Sequence, residues 1–420
     1  MDAGLRIAIA GSGISGLAAG WLLSRRHTVT LYEADSRLGG HTHTHDVATP
    51  EGTARVDTGF IVHNEVNYPL LVRLLRELGL ATRPSDMSFG VSGGNAPTWS
   101  SRGVAGLFAD PRNAISPAFY RFLLDITRFN RRAPRLLDEP GAERLTLGGL
   151  LRREGFSEAF ENGYLRPMAS AVWSTPSREL ADFPAATLVE FFRNHGYLGV
   201  TTQHPWRVLE GGSSAYIPHL AAAFGDRIRL GTGVKRVERD AEGVTVHAGD
   251  RAPERYDAIV LAVHGDHVLR MLAAPTPHEE SVFSEFRSSV NPTWLHTDTS
   301  FLPKSRAAWA SWNYHVAPGP HATGTRVTYH MNRLQSLQTR RDLCVTLHPE
   351  GLVDESLALR KLSYEHPLFT RESVDSQKRW NAVSGRNRTH YAGAYWGYGF
   401  HEDGLASAVR VAGALGVSWP

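Results

Sequence analysis

The sequence contains almost no cysteine, little lysine and little net charge. Cys344 is the only cysteine among 420 residues, which excludes an internal disulfide framework and any metal or iron–sulfur site built from several cysteines. The formal net charge is +3, so the overall charge predicts no nucleic-acid partner. Arginine carries nearly all the positive charge, and its planar guanidinium suits carboxylates and phosphates.

Long hydrophobic runs are also absent. No apolar segment approaches the roughly 20 residues that a helix needs to cross a bilayer. The first residues lack the basic start and the cleavage site of a signal peptide. We therefore predict a cytoplasmic, non-spanning protein, whose length indicates about two domains.

The amino-terminal segment carries a nucleotide-binding pattern. The apolar run Leu5–Ala10 predicts a short buried strand, and it is followed by G-S-G-I-S-G and an apolar helical pattern. A second predicted strand ends at Glu33, about 20 residues further on. The glycines permit a tight turn against a pyrophosphate, the helix N-terminus supplies partial positive charge, and the acid can accept hydrogen bonds from a ribose. The residues predicted to bind here are Gly11, Ser12, Gly13, Ser15, Gly16 and Glu33.

The next residues indicate the kind of nucleotide. The segment from Glu33 to Gly40 reads E-A-D-S-R-L-G-G, and here the chain resembles the flavin amine oxidase and phytoene desaturase superfamily. The resemblance implies that FAD is the cofactor and that Ala34, Arg37, Gly39, Gly40 and His41 lie along it. Relatives commonly have arginine where this chain has His41, and UDP-galactopyranose mutases share a glycine followed by histidine or asparagine. His41, His43 and His45 alternate, but no further ligand with metal-site spacing accompanies them, so we predict no metal.

The resemblance also predicts the architecture. We expect an α/β protein with a discontinuous Rossmann-type FAD-binding domain (residues 1–66, 205–275 and 385–420) and an α+β substrate domain of the amine-oxidase type (residues 67–204 and 276–384). A D-x-G turn at Asp57 to Gly59 is expected beside the isoalloxazine, and Val234 beside the adenine. Residues 100–200 read mainly as helices, and "WASWNYHV" and "VTYH" read as strands of the substrate domain.

The segment "HYAGAYWGYGFHEDGL" near the carboxyl end is rich in aromatic residues and glycine. In the resembling superfamily an A-G turn precedes a loop and a glycine-led helix whose N-terminus faces the flavin, so Gly393, Gly404 and Leu405 are expected to contact FAD. Such a helix terminus stabilises negative charge on reduced flavin. Tyr395, Trp396, Tyr398 and Phe400 are predicted to form the pocket wall. Several relatives have a carboxylate after the A-G pair, where this chain has Ala394 and Tyr395.

The resemblance extends to a bacterial group of FAD-dependent proteins similar to desaturases of methyl-branched fatty acyl chains in furan fatty acid synthesis. It implies an FAD-dependent oxidoreductase that removes hydride from a C–H bond of a lipid-like substrate and forms a diene. The predicted catalytic residues are Tyr395, Trp396 and His401. His401, His390 and His315 are all candidates for the base, because neutral imidazole titrates near neutral pH.

Three other functions stay open. A flavin amine oxidase is the second hypothesis; many such enzymes keep a lysine near the flavin, and Lys304 is the candidate. A flavin-dependent sugar-nucleotide mutase would need an arginine pocket for a nucleotide diphosphate. A binder that has lost flavin would not need to keep both ends of the flavin pattern.

A predicted helix also suggests a partner. Arg121, Arg128, Arg132 and Arg135 have helical spacing around Asp125, with apolar residues on other faces. A basic amphipathic helix of this kind is typical of contact with anionic phospholipid at the inner face of a membrane. The solvated face of a packed helix gives the same pattern, and both interpretations stay open.

Overall fold

The computed structural model describes residues 4–173, 180–199, 204–316 and 326–419. Its strands are β1 Arg6–Ala10, β2 Thr28–Tyr32, β3 Thr44–Thr49, β4 Gly52–Asp57, β5 Val62–Asn64, β6 Thr82–Pro84, β7 Phe89–Ser92, β8 Trp99–Ser100, β9 Trp206–Leu209, β10 Ile228–Arg229, β11 Val234–Arg239, β12 Val244–Ala248, β13 Glu254–Tyr256, β14 Ala258–Leu261, β15 Arg287–His296, β16 Trp312–His315, β17 Val327–His330, β18 Cys344–Leu347, β19 Ala358–Leu368 and β20 Thr389–Tyr391.

The helices alternate with these strands and concentrate between residues 100 and 200. They are α1 Ile14–Leu23, α2 Pro69–Glu77, α3 Gly103–Leu107, α4 Pro117–Leu136, α5 Leu147–Glu154, α6 Glu158–Phe160, α7 Arg166–Trp173, α8 Ala185–Asn194, α9 Ile217–Ala221, α10 Val268–Met271, α11 Pro277–Phe283, α12 Met331–Leu334, α13 Arg371–Gln377, α14 Trp380–Val383 and α15 His401–Ala414. A π-helical turn, Glu161–Leu165, joins α6 to α7. No helix of the described residues has the length and apolar character required to cross a bilayer.

A five-stranded parallel sheet forms the nucleotide-binding half. Its order is β10-β2-β1-β14-β20, so strands from three separated parts of the chain pair side by side. Ile7, Ile9, Leu31 and Val260 are fully buried, as expected for a parallel sheet covered on both faces. The predicted α/β class and the discontinuous nucleotide-binding fold are confirmed.

A seven-stranded sheet forms the other half. Its order is β19-β15-β18-β17-β16-β7-β8, with β16 parallel to β7 and the other pairs antiparallel. All of its strands lie within the two segments that the sequence assigned to the substrate domain. A smaller sheet, β5-β9-β6, takes strands from both sides of the boundaries predicted near residues 66 and 204, and so links the two halves.

The last helix begins earlier than predicted. We expected a helix led by Gly404, but α15 starts at His401. The Asp403 carboxylate accepts a hydrogen bond from the Phe400 backbone N–H at 2.8 Å, which makes Phe400 the N-cap and places Glu402 and Asp403 in the first turn. Acidic residues are favourable there because the helix N-terminus is positively polarised.

Candidate active site

A glycine turn joins β1 to α1 and leaves the N-terminus of that helix open. Gly11 has φ +98°, and a Cβ on Gly16 would overlap the carbonyl oxygen of Gly11, so this turn requires glycine at both positions. Gly13 is the N-cap of α1 and no side chain caps it. A Cβ on Gly13 would meet no atom within 4 Å, whereas one on Gly40 would lie 3.0 Å from the Gly13 Cα. The two glycine loops thus border open space over a helix N-terminus, which fits a pyrophosphate.

Glu33 holds this turn through its own carboxylate. Its Oε2 accepts hydrogen bonds from the backbone N–H (2.8 Å) and hydroxyl (2.6 Å) of Ser12, and its Oε1 accepts one from the Asp35 N–H. Oε1 accepts only this one bond and keeps a second lone pair, so the predicted bond from a ribose hydroxyl is chemically open there. Ala34 lies beside Gly233, which immediately precedes Val234, and these residues therefore share one end of the site.

Arg37 acts on the loop of paired glycines. Its guanidinium donates to the carbonyl oxygens of Gly40 (2.7 Å) and Thr42 (3.0 Å) and lies 3.3 Å from Asp35. The loop is also anchored by the Gly39 N–H, which donates to the Ser12 carbonyl oxygen at 3.0 Å. The sequence predicted a contact between Arg37 and FAD, and that contact stays a prediction. In the structure the guanidinium fixes the backbone of the loop from Gly40 to Thr42.

The start of α15 packs directly against the start of α1. A Cβ on Gly404 would lie 2.8 Å from Ile14 Cγ2 and 2.9 Å from Ser15 Oγ, so only glycine allows this approach. Leu405 is buried beside it. The Gly393 N–H donates to Ser407 Oγ at 2.8 Å and ties the A-G turn to the same helix. Two helix N-termini therefore lie close together, one suited to the pyrophosphate of FAD and the other to the negative charge of its reduced isoalloxazine.

Two carboxylates stand in the first turn of α15. Glu402 accepts hydrogen bonds from the Leu70 and Leu71 N–H groups at 2.8 and 3.0 Å, and so caps the N-terminus of α2. Burial raises the pKa of Glu402, and it raises the pKa of Asp403 to about 6. The helix terminus that faces the site is thus fixed by its own acidic residues.

A cavity of about 150 Å³ lies between the two halves of the molecule. Eleven aromatic side chains line it, among them Phe60, Tyr68, Trp173, Trp206, Tyr398 and Phe400. Gly59 also lines it, where a Cβ would overlap the carbonyl oxygen of His41. Among the residues that the structure describes, no Asp, Glu, Lys or Arg contributes to the wall.

The aromatic wall differs in part from the prediction. Tyr398 and Phe400 line the cavity as expected, but Tyr395 and Trp396 do not. Both are buried against Phe286, at centroid distances of 4.8 and 5.4 Å. Residues 394–396 form a 3₁₀ turn after the A-G pair, and this turn directs the two rings away from the cavity. Tyr395 and Trp396 therefore do not line this cavity, and their predicted part in catalysis stays a prediction.

Four histidines are the only ionisable nitrogen groups on the described wall: His41, His195, His366 and His401. Burial lowers the pKa of His41 and His195 to about 4 and holds the pKa of His366 and His401 well below the ordinary value. All four are therefore neutral at pH 7. The other predicted bases, His390 and His315, lie in β20 and β16 and do not line the cavity.

Hydrogen bonds define the proton positions on two of these rings, His195 and His366. His401 Nε2 is 2.7 Å from the Thr42 hydroxyl, and its ring stacks on Phe60 at 3.6 Å. His195 Nδ1 is 2.9 Å from the Phe191 carbonyl oxygen, which can only accept, so Nδ1 carries the proton and Nε2 keeps its lone pair.

His366 has the opposite tautomer. The Asn291 amide nitrogen donates to the Ser289 carbonyl oxygen, which identifies it as the –NH₂ group, and it also lies 2.8 Å from His366 Nδ1. His366 Nδ1 therefore accepts and Nε2 carries the proton. Sequence reasoning missed both His195 and His366, because nothing local in "RNHGY" or "YEHPL" indicates which ring nitrogen is free.

Asp57 lies behind the cavity wall and links the segments that form it. Its carboxylate is fully buried and accepts hydrogen bonds from the Thr44 hydroxyl (2.5 Å), the Ser213 N–H (2.9 Å) and the Gln335 amide (2.6 Å). Burial raises its pKa to about 6. The D-x-G turn therefore joins the nucleotide-binding half to α12 of the other half, while its Gly59 lines the cavity.

The remaining candidates lie elsewhere. The His43 and His45 rings lie 3.9 Å apart, and no group of three or more His, Cys, Asp or Glu among the described residues could hold a metal ion. Lys304 is exposed and does not line the cavity. Cys344 is buried in β18.

Comparisons with known proteins agree with this geometry. The family model for flavin containing amine oxidoreductases matches residues 14–416. The carotenoid phi-ring synthase of Streptomyces griseus is 28% identical over 291 residues, which are 64% of this chain and 54% of that protein. The match thus spans about half the length of that relative.

Two solved structures show the same fold. Wild-type putrescine oxidase bound to putrescine superposes with a TM-score of 0.68 at 15% identity, over 97% of this chain and 98% of that one. The CLA-producing fatty acid isomerase from P. acnes superposes with a TM-score of 0.67 at 16% identity, over 97% and 98%. At these identities the likeness shows the fold alone.

Proposed function

This chain belongs to the family of flavin-containing amine oxidoreductases and is an FAD-dependent oxidoreductase, and on this premise we propose that it oxidises a C–H bond of a lipid-like substrate. The proposed reaction desaturates a methyl-branched, unsaturated fatty acyl chain of a phospholipid to a diene. One observation carries the proposal: the described cavity wall is aromatic and contains no charged side chain.

Such a wall favours apolar substrates over amines. An alkylammonium group moved from water into this cavity would lose its hydration and meet no carboxylate, which costs several kcal/mol in a protein interior. An acyl chain loses nothing on the same transfer and gains from apolar burial. The name of one curated relative, a carotenoid ring synthase, also indicates an apolar substrate.

A sugar-nucleotide mutase is less well supported. Its diphosphate substrate needs arginines at the site, and none lines the part of the cavity formed by described residues.

The proposed reaction removes two hydrogens from the chain. Bound FAD supplies the acceptor for one hydrogen and both electrons of its C–H bond. The hydride leaves an allylic carbon, a proton then leaves the carbon next to it, and the electron pair of that second C–H bond becomes the new C=C bond. The aromatic wall excludes water during this step, and one of its side chains must accept the proton.

We propose that His195 Nε2 is the base that accepts this proton. This nitrogen keeps a lone pair because Nδ1 donates to the Phe191 carbonyl oxygen. The low pKa of His195 keeps its ring neutral before the reaction. His195 is also the C-cap of α8, where the negative end of the helix dipole stabilises the imidazolium that forms.

The test is anaerobic mixing of the FAD-loaded protein with two substrate panels, which needs no reoxidant for a single turnover. One panel contains phospholipids with methylated monounsaturated acyl chains, and the other contains primary amines and polyamines. We expect loss of oxidised-flavin absorbance with the lipids alone and a diene in the extracted product. Bleaching by amines alone would replace the proposal with amine oxidation, and no bleaching by either panel would refute it.

The assignment of the base is tested with His195→Gln, which keeps a hydrogen-bonding side chain but removes the basic nitrogen. We expect about a 10²-fold or larger loss of the rate at which the diene forms in a single turnover, and loss of the acid pH limb of that rate, with unchanged flavin content. His204→Gln is the matched control, because His204 Nε2 lies 3.1 Å from the Asn194 carbonyl oxygen at the same helix end, outside the cavity. Equal rates for the two variants would exclude His195 as the base.

A further inference from the structure

Exposed apolar side chains concentrate on one surface of the helical region. Of the eight large hydrophobic residues exposed among the described part of the chain, four fall between residues 104 and 124: Val104, Ile115, Tyr120 and Leu124. Their exposed fractions are 73%, 84%, 47% and 65%. The other four are Val66, Leu230, Val290 and Leu357, and they are widely separated in the sequence. A stable monomer gains nothing from such a concentration.

The four side chains belong to a continuous piece of structure. Tyr120 and Leu124 lie one turn apart on α4, and the Tyr120 hydroxyl donates to the Ala114 carbonyl oxygen at 3.0 Å, next to Ile115. The Asn113 amide donates to the Leu107 carbonyl oxygen at 3.0 Å and so ties the 3₁₀ turn Pro111–Ile115 to α3, which carries Val104. We call this surface the α3–α4 face.

The α3–α4 face is also strongly basic. Residues 102–135 contain seven arginines and two aspartates and no lysine or glutamate, a net charge of +5, whereas the whole chain carries +3. The rest of the chain is therefore slightly acidic. The arginines are Arg102, Arg112, Arg121, Arg128, Arg131, Arg132 and Arg135, and all of them are exposed.

The two aspartates do not cancel this charge at the surface. Asp125 is 2% exposed and lies beneath Arg121 and Arg128, at 3.7 and 3.6 Å. The side chains of Arg121 and Arg128 remain 61% and 43% exposed. Arg132 of the same segment pairs with Glu139 and Glu154 at 3.6 and 3.1 Å. Asp110 pairs with Arg112 alone, at 2.7 Å.

We propose that the α3–α4 face docks on a bilayer rich in anionic phospholipid, with Val104, Ile115, Tyr120 and Leu124 inserted among the acyl chains and the arginines bound to phosphates. A flanking ring of arginines around apolar side chains matches the charge and the polarity profile of such a surface. Guanidinium groups bind phosphate oxygens in a bidentate manner, which favours this partner over a neutral bilayer.

The size of the cavity agrees with a substrate delivered from a membrane. A cavity of about 150 Å³ holds a group of about the size of benzene. The reacting segment of an acyl chain fits there, while the rest of the lipid must extend beyond it. This last argument depends on the proposed function; the docking proposal itself depends only on the α3–α4 face.

Cosedimentation of the FAD-loaded protein with vesicles tests the proposal. Phosphatidylglycerol vesicles and phosphatidylcholine vesicles are compared for the wild type, for Ile115→Asp with Leu124→Asp, and for the control Val66→Asp with Leu357→Asp. We expect binding to the anionic vesicles only, lowered about tenfold or more by the first pair and unchanged by the control pair. Flavin content and thermal unfolding confirm that each variant is folded.

Two results would overturn the docking proposal. One is absence of wild-type binding to anionic vesicles. The other is equal binding by both pairs of variants, which would indicate attraction by charge elsewhere. Sedimentation velocity without lipid shows whether a second copy of the chain covers the α3–α4 face instead. If Ile115→Asp with Leu124→Asp converts a dimer to a monomer, the face is a dimer interface. Lipid oxidation in detergent reports on the proposed function independently of any of these results.

Discussion

The buried histidines predict that the protein loses stability on mild acidification. His63, His195, His296, His315 and His390 are all less than a tenth exposed, and burial lowers the pKa of each from 6.5 to about 4. Between pH 4 and 6.5 the unfolded chain therefore binds more protons than the folded one. The contribution of these histidines is complete above pH 6.5 and is lost as the pH falls towards 4.

The magnitude follows from linkage. Acidification from pH 7 to 5 costs about 1.8 kcal/mol for each such histidine, or about 9 kcal/mol for five. Asp57 and Asp403 act in the opposite direction, because their folded pKa values are raised to about 6, and their contribution grows as the pH falls through 6. Together they recover about 2.6 kcal/mol over the same interval. The net loss of about 6 kcal/mol approaches the whole stability of a typical protein.

Thermal unfolding between pH 5 and 8 and calorimetry in buffers of different ionisation enthalpy measure this effect. We expect the melting temperature to fall steeply below pH 6.5, and these seven groups to contribute about three protons to the uptake on unfolding near pH 5.5, to which His41, His366 and His401 add. His315→Gln should reduce the uptake by about one proton, because burial lowers the pKa of His315 to about 4. A melting temperature that is constant or rises from pH 7 to 5 would refute the reasoning.

Three further predictions concern single contacts. Gly13→Ala should leave the unfolding temperature of the apoprotein unchanged, because the added Cβ meets no protein atom. It should lower the amount of bound flavin per protein, measured by absorbance. Gly225→Ala, where the added Cβ also meets no atom, should leave the flavin content unchanged. Glu402→Ala removes the cap of α2 and should lower the free energy of unfolding by about 1 kcal/mol in denaturant titrations, and an unchanged midpoint would contradict this. Trp419→Ala removes the cation–π contact with Arg73 at 4.3 Å and the edge contact with Trp21, and should cost about 1–2 kcal/mol in the same assay, with Arg73→Lys nearly neutral.

Much of the nucleotide-binding half could be predicted because its motif is local. A strand, a glycine turn, a helix and an acid follow one another within 33 residues, and two of the three glycines have a steric reason that the structure shows. Gly11 needs positive φ and Gly16 lies beneath its carbonyl oxygen. The predicted FAD contacts of Glu33, Arg37 and Val234 stay predictions, although the structure places all three around this turn or the strand beside it.

The cavity could not be predicted to the same depth, because its chemistry depends on contacts between distant residues. The tautomer of His366 follows from Asn291, which lies 75 positions away in the chain. The direction of the Tyr395 and Trp396 side chains follows from a 3₁₀ turn. In an extended segment, every second side chain would have faced the same side, so Trp396, Tyr398 and Phe400 would have pointed together. α15 starts at His401 because the Asp403 side chain accepts a hydrogen bond from the Phe400 N–H. The glycine pattern alone predicted a later start, at Gly404.

The close contact between the start of α1 and the start of α15 also affects how the protein is made. Gly404 packs on Ile14 and Ser15 but is synthesised nearly 400 residues after them. Until then the nascent chain lacks β20, Phe400 and the second helix N-terminus. Cofactor capture therefore waits for the synthesis of α15, and β14 has an unpaired edge, which is prone to aggregation, until β20 is made.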